Sequence, residues 1–396
     1  MTARGASPRW RTWGPLLALA AIALFAVAFG ITELPLAPVA PTSSPIPDTT
    51  AGRLVRQIEM VNYPTSQVGW AVVPSRPYWR LVHTIDGGRR WLDVTPPGSA
   101  SNGGIAVTVM GSSTAAVVFL AFQYIRNSTF AITSDGGADW TAGVLPNAVS
   151  AGPDPIFALN SRHVWAVLGN GTVLASSNGG QRWAPVALPT MTSGSCSPTS
   201  VWFTSPSSGW VTGKCAGVAA LWHSADAGSS WQAVVLPGSY ASSAKVSVAP
   251  PQATASGGAL TTAATSGHGT ASLRVFDNSS GSWVSPPAVA LPAGRVLVSF
   301  EDPSHGWVLD APRAKGALAL AYYTSNGGIN WSLRTTPIAA GEVTGLDLVS
   351  PESVVALAQA GREKDLWSSA DAGVHWTRAK MVIFNGPVPR VNGIVG

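Results

Sequence analysis

The acidic residues placed most regularly in this sequence lie in a motif, S/T-x-D/N-x-G-x-x-W, that recurs along the chain. Six copies are regular, and a seventh has one extra residue between its Asp and its Trp. A repeated carboxylate could serve as an acid catalyst or as a metal ligand. The repeated positions are Asp86 and Trp91, Asp135 and Trp140, Asn178 and Trp183, Asp226 and Trp231, Asp277 and Trp283, Asn326 and Trp331, and Asp371 and Trp376.

Two of these motifs carry Asn in place of Asp, at Asn178 and Asn326. A neutral amide oxygen accepts hydrogen bonds but supplies neither a proton nor a negative charge, so the position requires an acceptor. We therefore predict a structural turn, in which this oxygen accepts backbone N–H groups, the second Gly adopts a positive φ and the Trp is buried. The sequence predicts no catalytic residue, no metal and no cofactor here.

The two cysteines, Cys196 and Cys215, could bind zinc together with His223, but four good ligands are not visible. The six histidines show no H-E-x-x-H spacing. Cys196 begins one predicted strand and Cys215 ends the next, with the bend near residues 205–208 almost midway between them. Antiparallel pairing would place the two residues opposite each other, so we predict a cross-strand disulfide.

The tryptophans of the motif are 49, 43, 48, 52, 48 and 45 residues apart, which indicates an internal repeat. Upstream of each motif lies a hairpin pattern such as VWFTSPSSGWVTG; a third strand leads into the motif and a fourth follows it. Four antiparallel strands in a unit of this length form a propeller blade. We predict an all-β, seven-bladed β-propeller over residues 53–383, and a C-terminal extension over 384–396 that braces a closure whose strand the sequence does not reveal.

The N-terminus has Arg4, Arg9 and Arg11 before an uncharged run over residues 12–32. This pattern predicts a transmembrane signal anchor over residues 1–32, followed by a Pro/Ser/Thr-rich linker over 33–52. We expect this segment to be retained as an anchor, and not cleaved as a signal peptide, because its apolar run is long. The predicted location is the cell membrane with the propeller on the extracytoplasmic side, or secretion if the segment is cleaved. Beyond residue 33, 21 basic against 18 acidic residues give too small an excess to indicate nucleic acid.

The repeated motif resembles the Asp box, or bacterial neuraminidase repeat, over about residues 54–383. Its combination with Gly-Trp hairpins resembles the photosystem II stability and assembly factor family, which implies a seven-bladed extracytoplasmic propeller that acts as an assembly chaperone. Nothing in the sequence shows a photosynthetic host, so that family's partner is not carried over. Sialidases share the Asp box, but their Arg-Ile-Pro motif is missing and their ring has six blades.

The loops between the second and third strands of the blades are rich in basic and aromatic residues. We hypothesise that they bind an acidic segment of a membrane or envelope protein, so that the chain is a non-catalytic scaffold or assembly factor. The same loops also contain three acidic residues, Asp310, Glu363 and Asp365. The candidate binding residues are Arg76, Tyr78, Trp79, Arg80, Tyr124, Arg126, Lys214, Arg313, Lys315, Arg362 and Lys364.

Three alternatives stay open at the level of sequence. The cations could merely solvate the loops. The central mouth of the ring could bind or hydrolyse a glycan, as a sialidase-like propeller would, although convergent carboxylates and aromatic residues are not identifiable there. The protein could also have a purely structural role in the envelope.

Overall fold

A computed structural model shows an all-β protein whose strands form seven separate sheets. The predicted transmembrane segment and the linker up to residue 51 lie outside the described residues; within the described part, no helix has the length and apolarity needed to cross a membrane. The structure describes residues 52–55, 57–75, 78–97, 105–119, 128–147, 149, 155–190, 195–235, 245–248, 252–253, 259–266, 270–277, 283, 288–292, 294–300, 302, 304–312, 314–360 and 363–393.

Each sheet is built on four consecutive antiparallel strands, so the predicted seven-bladed propeller with four-stranded blades is confirmed. Blades 1 to 3 contain β2 (Met60–Asn62), β3 (Gly69–Ser75), β4 (Tyr78–Thr84) and β5 (Trp91–Asp93); β6 (Ile105–Val109), β7 (Ala115–Phe119), β8 (Ser128–Thr133) and β9 (Asp139–Leu145); and β10 (Ile156–Ala158), β11 (Val164–Val167), β12 (Val173–Ser176) and β13 (Ala184–Pro185).

Blade 5 has an additional short strand, β19 (Gln252–Ala253), which pairs with β20 (Ala259–Ser266). Blades 4 to 7 contain β14 (Cys196–Phe203), β15 (Gly209–Cys215), β16 (Val218–Ser224) and β17 (Gln232–Val234); β18 (Lys245–Val248), β19 (Gln252–Ala253), β20 (Ala259–Ser266), β21 (Thr270–Asp277) and β22 (Val289–Pro292); β23 (Gly294–Phe300), β24 (Gly306–Pro312), β25 (Leu318–Thr324) and β26 (Ser332–Ala339); and β27 (Val343–Ser350), β28 (Ser353–Ala360), β29 (Glu363–Ser369) and β30 (Thr377–Ala379). A 3-10 turn, Ala340–Glu342, joins the last two blades.

The antiparallel order gives the ring two different faces. The first turn and the third turn of each blade lie at one end of its strands, and the third turn carries the repeated motif. We call this end the Asp-box face. The second turn and the connection to the next blade lie at the opposite end, which we call the loop face.

The core lies between neighbouring blades, because alternate side chains of each strand point toward the preceding or the following blade. Between blades 6 and 7, Trp307 and Leu309 pack with Val354 and Ala356. The Gly-Trp pairs of the sequence contribute directly: the indole N–H of Trp70 donates to the carbonyl of Gly111 in the next blade at 3.3 Å. Each blade therefore covers an apolar face that its neighbour could not bury alone.

Ring closure joins blade 7 to blade 1 at their innermost strands. The carboxylate of Asp347 on β27 accepts the side-chain amide of Asn62 at 3.2 Å and the backbone N–H of Tyr63. Apolar side chains from both blades, including Ile58 and Leu357, pack beside this contact.

The C-terminal segment crosses from blade 7 to the outer edges of blades 1 and 2. Strand β31 (Val382–Phe384) pairs in parallel with β5, and β1 (Arg53–Leu54) pairs with the other side of β31. Strand β32 (Arg390–Gly393) then pairs in parallel with β9. We call residues 381–393 the strap; the boundary predicted between residues 383 and 384 falls inside its first strand.

Candidate functional site

The repeated motif forms the same hydrogen-bonded turn in the six blades where its side chains are described. In blade 1, Thr84 Oγ1 donates to Asp86 Oδ1 at 2.9 Å, and the same oxygen accepts the backbone N–H of Arg90 at 2.9 Å. Gly88 N–H donates to Thr84 Oγ1 at 3.1 Å. Across the six turns these three distances are 2.8–3.1, 2.8–3.0 and 2.7–3.1 Å.

Asn178 and Asn326 make these bonds through their amide oxygens at the same distances as the aspartates. The Asp carboxylates of the motif are therefore acceptors within turns. In blade 7, hydrogen bonds from the backbone and ring of His375 lower the pKa of Asp371 to about 2. A carboxylate held ionised in this way is a poor proton donor at neutral pH. In the degenerate copy, the side chain of Asp277 lies outside the described residues.

The first glycine or alanine of each motif ties its turn to the first turn of the same blade. Gly179 N–H donates to the carbonyl of Arg162 at 2.9 Å, and the five equivalent bonds are 2.8–3.0 Å long. The Asp-box face is thus a set of paired turns held by main-chain bonds.

The second glycines of the motifs in blades 2, 3, 4, 6 and 7 face the preceding blade, whereas that of blade 1 faces Tyr63 of its own blade. Two of the motif tryptophans also bond to the preceding blade. Trp140 Nε1–H donates to the carbonyl of Val94, and Trp183 Nε1–H donates to that of Val144, both at 3.0 Å. A Cβ added at Gly180 would overlap the ring of Phe130 in blade 2. Glycine is required at this position for close packing as well as for its φ of 82°. In the degenerate copy, Trp283 packs against Trp210, and their ring centroids are 5.8 Å apart.

Most of the other described aspartates also have a partner within the fold. Asp93 pairs with Arg80, and Asp365 pairs with Arg378 at 2.6 Å. Asp302 accepts the ring N–H of His305 at 2.8 Å and caps the first turn of blade 6. These carboxylates stabilise turns and adjacent strands.

The histidines with resolved pKa shifts are held in the neutral form by burial. Burial lowers the pKa of His83 to about 4, although its ring contacts the carbonyl of Ser112 at 3.1 Å. Burial also lowers the pKa values of His163 and His223. The ring of His223 lies 4.2 Å from that of Trp210 and 3.0 Å from the hydroxyl of Ser208. Within the described part of the chain, no three His, Cys, Asp or Glu side chains form a group that could hold a metal ion.

Cys196 and Cys215 form a disulfide at the loop-face end of blade 4. The two residues are direct register partners of β14 and β15, with a Cα–Cα distance of 4.0 Å. The bridge ties the first two strands of this blade together where the next turn begins.

Among the predicted binding residues whose side chains are described, three cations on the loop face are exposed: Arg80, Lys214 and Lys315. Arg80 is paired with Asp93 and donates to Ser75 Oγ at 3.0 Å. Trp79 is half-buried and packs against the apolar cluster between blades 1 and 2. Of the remaining predicted residues, Arg76, Tyr124, Arg126, Arg313 and Arg362 lie outside the described residues, as do the side chains of Tyr78 and Lys364.

Asp310 is a buried carboxylate that the sequence analysis had placed among the loop acids. Its side chain is 0% exposed, and neither oxygen has a hydrogen-bond partner among the described residues. Burial raises its pKa to about 6. Alignment of the Gly-Trp strands gives the available signal, because Asp310 occupies the place of buried Val73 in blade 1.

Comparison with known proteins supports the resemblance seen in the motifs. The family model described as photosynthesis system II assembly factor YCF48 matches residues 149–285, which span blades 3 to 5. The chain is an Asp-box propeller that resembles the YCF48 assembly factors. This propeller has no match among curated protein sequences.

Solved structures of several activities share the propeller fold. YCF48 from Cyanidioschyzon merolae matches 78% of this chain and 96% of its own, with 17% identity and a TM-score of 0.52. A GH74 xyloglucanase from Xanthomonas campestris matches 85% of this chain with 14% identity and a TM-score of 0.57, and the chain spans only 56% of that enzyme. A PL25 ulvan lyase matches 87% of this chain and 97% of its own, with 10% identity and a TM-score of 0.50. At these identities the likeness establishes the fold alone.

Proposed function

We propose that the protein is a non-catalytic, membrane-anchored extracytoplasmic scaffold or assembly factor whose loop face binds an acidic segment of a membrane or envelope protein. The observation that carries the proposal is the difference between the cations and the acids of that face. Lys214 and Lys315 are exposed, whereas Asp310 is buried and Asp365 is paired with Arg378. Exposed cations favour an acidic partner when the described carboxylates near them are buried or paired. The side chain of Glu363, the third acid of these loops, lies outside the described residues.

The engagement of carboxylates within the fold supports a role in binding rather than hydrolysis. Acid/base hydrolysis of a glycan requires two carboxyl groups placed across a substrate. The described motif aspartates, together with Asp93, Asp302, Asp347 and Asp365, accept hydrogen bonds or form ion pairs in turns and between strands. The resemblance to an assembly factor family points in the same direction.

The direction of the first strand supports a membrane or envelope partner. Strand β5 starts at the Asp-box face, β31 runs parallel to it, and β1 runs antiparallel to β31. Gly52 therefore enters β1 from the loop-face end. A linker that continues in this direction would bring the predicted anchor over residues 1–32 to the side of the ring that carries Lys214 and Lys315.

The proposal is tested by proximity crosslinking of the full-length protein in intact cells, followed by pull-down of the partner found. Reversal of both charges by Lys214→Glu and Lys315→Glu should reduce recovery of the partner at least about tenfold, because each contact with an acidic residue would become repulsive. The matched control is Arg89→Glu with Arg182→Glu, which reverses two exposed cations on the Asp-box face.

Equal recovery with the loop-face variant and the wild type would contradict the proposal. A glycan array probed with the same proteins tests the alternative. Binding of a glycan that survives the loop-face reversal would favour a saccharide-binding propeller.

A further inference from the structure

The outer strand of blade 6, β26, is the longest outer strand of the ring and lies at the edge of its sheet. It has eight residues and β9 of blade 2 has seven, whereas the outer strands of the other five blades have two to four. The edge of β9 is covered by β32, but among the described strands none pairs with the outer edge of β26. An open edge of this kind presents main-chain groups to which another extended chain can pair.

The repeats show which main-chain groups of β26 point outward. In blade 1, the third residue after the motif Trp bonds inward, because Val94 N–H donates to the carbonyl of Leu81 at 3.0 Å. Arg334 is the equivalent residue of blade 6 and is a register partner of the neighbouring strand. Since the direction of these groups alternates along an antiparallel strand, the N–H and carbonyl groups of Leu333 and Thr335 point away from the sheet.

The strap shows how an outer edge of this ring accepts an extended chain. Both of its strands pair in parallel with an outer strand, and each places an aliphatic residue opposite the motif tryptophan: Ile383 opposite Trp91, and Val391 opposite Trp140. Each aliphatic residue packs in the same apolar cluster as its tryptophan. Both tryptophans are only 1% exposed. A covering strand therefore completes the burial of the motif tryptophan in blades 1 and 2.

Blade 6 has the corresponding apolar surface without such a cover. Its motif tryptophan, Trp331, is half-buried, and Leu333 is 52% exposed. Tyr322, the register partner of Leu333, packs in the same cluster as Trp331, so Trp331 and Leu333 lie on the same side of the strand. The residue equivalent to Leu333 is Asp93 in blade 1 and Ala142 in blade 2. The edge of blade 6 thus offers two apolar contacts where the strap has one.

Two other outer strands without a described cover carry residues that oppose pairing. Pro185 occupies the place of Leu333 in blade 3 and has no N–H to donate. In blade 7 that place is taken by Arg378, which is paired with Asp365 at 2.6 Å. Proline and charged residues are common protections of exposed strand edges. In β26 the proline, Pro337, lies in the second half of the strand, so the first half is open.

We propose that the edge of β26 binds an extended segment of another protein, which pairs in parallel with residues 331–335 and adds a strand to blade 6. One β-branched aliphatic side chain of this segment covers Trp331, as Ile383 and Val391 cover the tryptophans of blades 1 and 2. A second aliphatic side chain, two residues later, packs on Leu333. The partner segment therefore has Val or Ile at two positions separated by one residue. The site lies on the outer rim and is separate from the loop-face lysines.

The test uses a labelled, capped nonapeptide of Thr, Ser and Lys residues with Val at the two positions, and a matched peptide with Thr at both. Val and Thr are both β-branched and both favour strands, so the pair isolates the apolar contacts. Binding to the full-length protein is measured by fluorescence anisotropy. We expect the Val peptide to bind about tenfold more tightly, because two apolar side chains leave water.

Amide hydrogen exchange resolved to single residues locates the peptide. The amides of Leu333 and Thr335 should exchange more slowly with the Val peptide than without it, because their outward N–H groups would donate to the added strand. The amide of Arg334, which points into the sheet, is the internal reference and should not change.

Two variants should each weaken binding of the Val peptide at least tenfold. Leu333→Lys places a charge in the apolar surface, and Thr335→Pro removes an outward N–H without removing a bond of the blade's own ladder. Ala233→Lys is the matched control, because Ala233 is exposed and occupies the place of Leu333 in blade 4. It should bind the peptide as the wild type does.

Three results would overturn the proposal: equal binding of the Val and Thr peptides, unchanged exchange at Leu333 and Thr335, or an equal loss in Ala233→Lys and Leu333→Lys. A wild-type dimer that dissociates in Leu333→Lys would also overturn it, because a second copy would then cover the edge. Binding of the Val peptide that persists in Lys214→Glu with Lys315→Glu supports the rim site, whatever the fate of the loop-face proposal.

Discussion

The Asp-box face and the loop face are built from the same seven repeats, yet they differ in how closely the repeats agree. On the Asp-box face, six turns share the same acceptor, the same hydroxyl and the same main-chain bonds. On the loop face, blade 4 has a disulfide and Lys214, and blade 6 has Lys315 and a buried Asp310. The repeated residues hold the ring together, and the differences between blades indicate where binding should be sought.

The largest expected effect is a loss of stability on replacing a glycine by alanine. Comparison of two glycines distinguishes the cost of a steric overlap from the cost of a positive φ. Gly180, on the Asp-box face, and Gly217, on the loop face, have nearly the same φ, 82° and 81°. A Cβ at Gly180 overlaps Phe130, whereas nothing lies within 4 Å of one at Gly217. We expect Gly180→Ala to lower the free energy of unfolding by about 3 kcal/mol and Gly217→Ala by about 1 kcal/mol. Urea unfolding measures both, and equal losses would show that the close contact between blades is unimportant.

The next effect concerns Asp310, a buried acid at a position that is apolar in blade 1. Asp310→Val, with the residue found at the equivalent position of blade 1, should raise the free energy of unfolding by about 2–3 kcal/mol at pH 7.5. The pKa of Asp310 is raised from 3.8 to about 6, so the folded protein binds the proton more tightly than the unfolded chain. The wild type is therefore destabilised as the pH rises from 4 to 6.

This pH dependence supplies the control for Asp310. The advantage of Asp310→Val should be complete above pH 6 and should shrink as the pH falls toward 3.8; the carboxyl is protonated in both states only below that pH. Unfolding measured at pH 7.5 and at pH 4.5 gives the two values. An equal gain in the free energy of unfolding at both pH values would mean that ionisation of Asp310 does not cause the gain.

A smaller effect tests the role of the motif carboxylate as an acceptor. Asp135 accepts Thr133 Oγ1–H and the N–H of Asp139, and Asn178 does the same in blade 3. Asp135→Ala should lower the free energy of unfolding by about 1–2 kcal/mol, and Asp135→Asn by less than about 0.5 kcal/mol. If the Asn variant lost as much stability as the Ala variant, the negative charge would be required.

The smallest effect concerns two motifs that have alanine where the others have their first glycine. Ala227 and Ala372 have φ values of 58° and 54°, a region that disfavours a side chain. Ala227→Gly and Ala372→Gly should each stabilise the fold by about 0.5 kcal/mol, less than the cost of the αL region because glycine adds disorder to the unfolded chain. Ala225→Gly, without a positive φ, is the control and should be neutral or slightly destabilising; a gain there would contradict the explanation.

The number of blades and the chemistry of their turns followed from sequence because each repeat contains its own signal. The motif sets a third turn, the Gly-Trp hairpin sets the first, and both are local patterns of fewer than about twenty residues. Asn178 and Asn326 showed that an acceptor was required, since the replacement is conservative for hydrogen bonding and not for charge. The register of Cys196 and Cys215 could also be estimated from one hairpin.

The path of the strap could not be predicted because its partners are distant and its pattern is weak. Arg390 and Asp139 are 251 positions apart, and a parallel strand of three or four residues leaves no alternation to recognise. The burial of Asp310 was missed for a different reason: a charged residue in a loop-end position suggests exposure, and only alignment with buried Val73 of blade 1 indicates an inward orientation.

The strap also determines when the outer edges of blades 1 and 2 are covered. These edges pair with residues 382–393, which are synthesised after all seven blades. Until then the backbone groups of β5 and β9 face water, and exposed edges of this kind invite pairing with other chains. Pairing of these two outer strands therefore awaits synthesis of the strap, so a nascent molecule, or one truncated before residue 382, is the form that most needs protection by a chaperone.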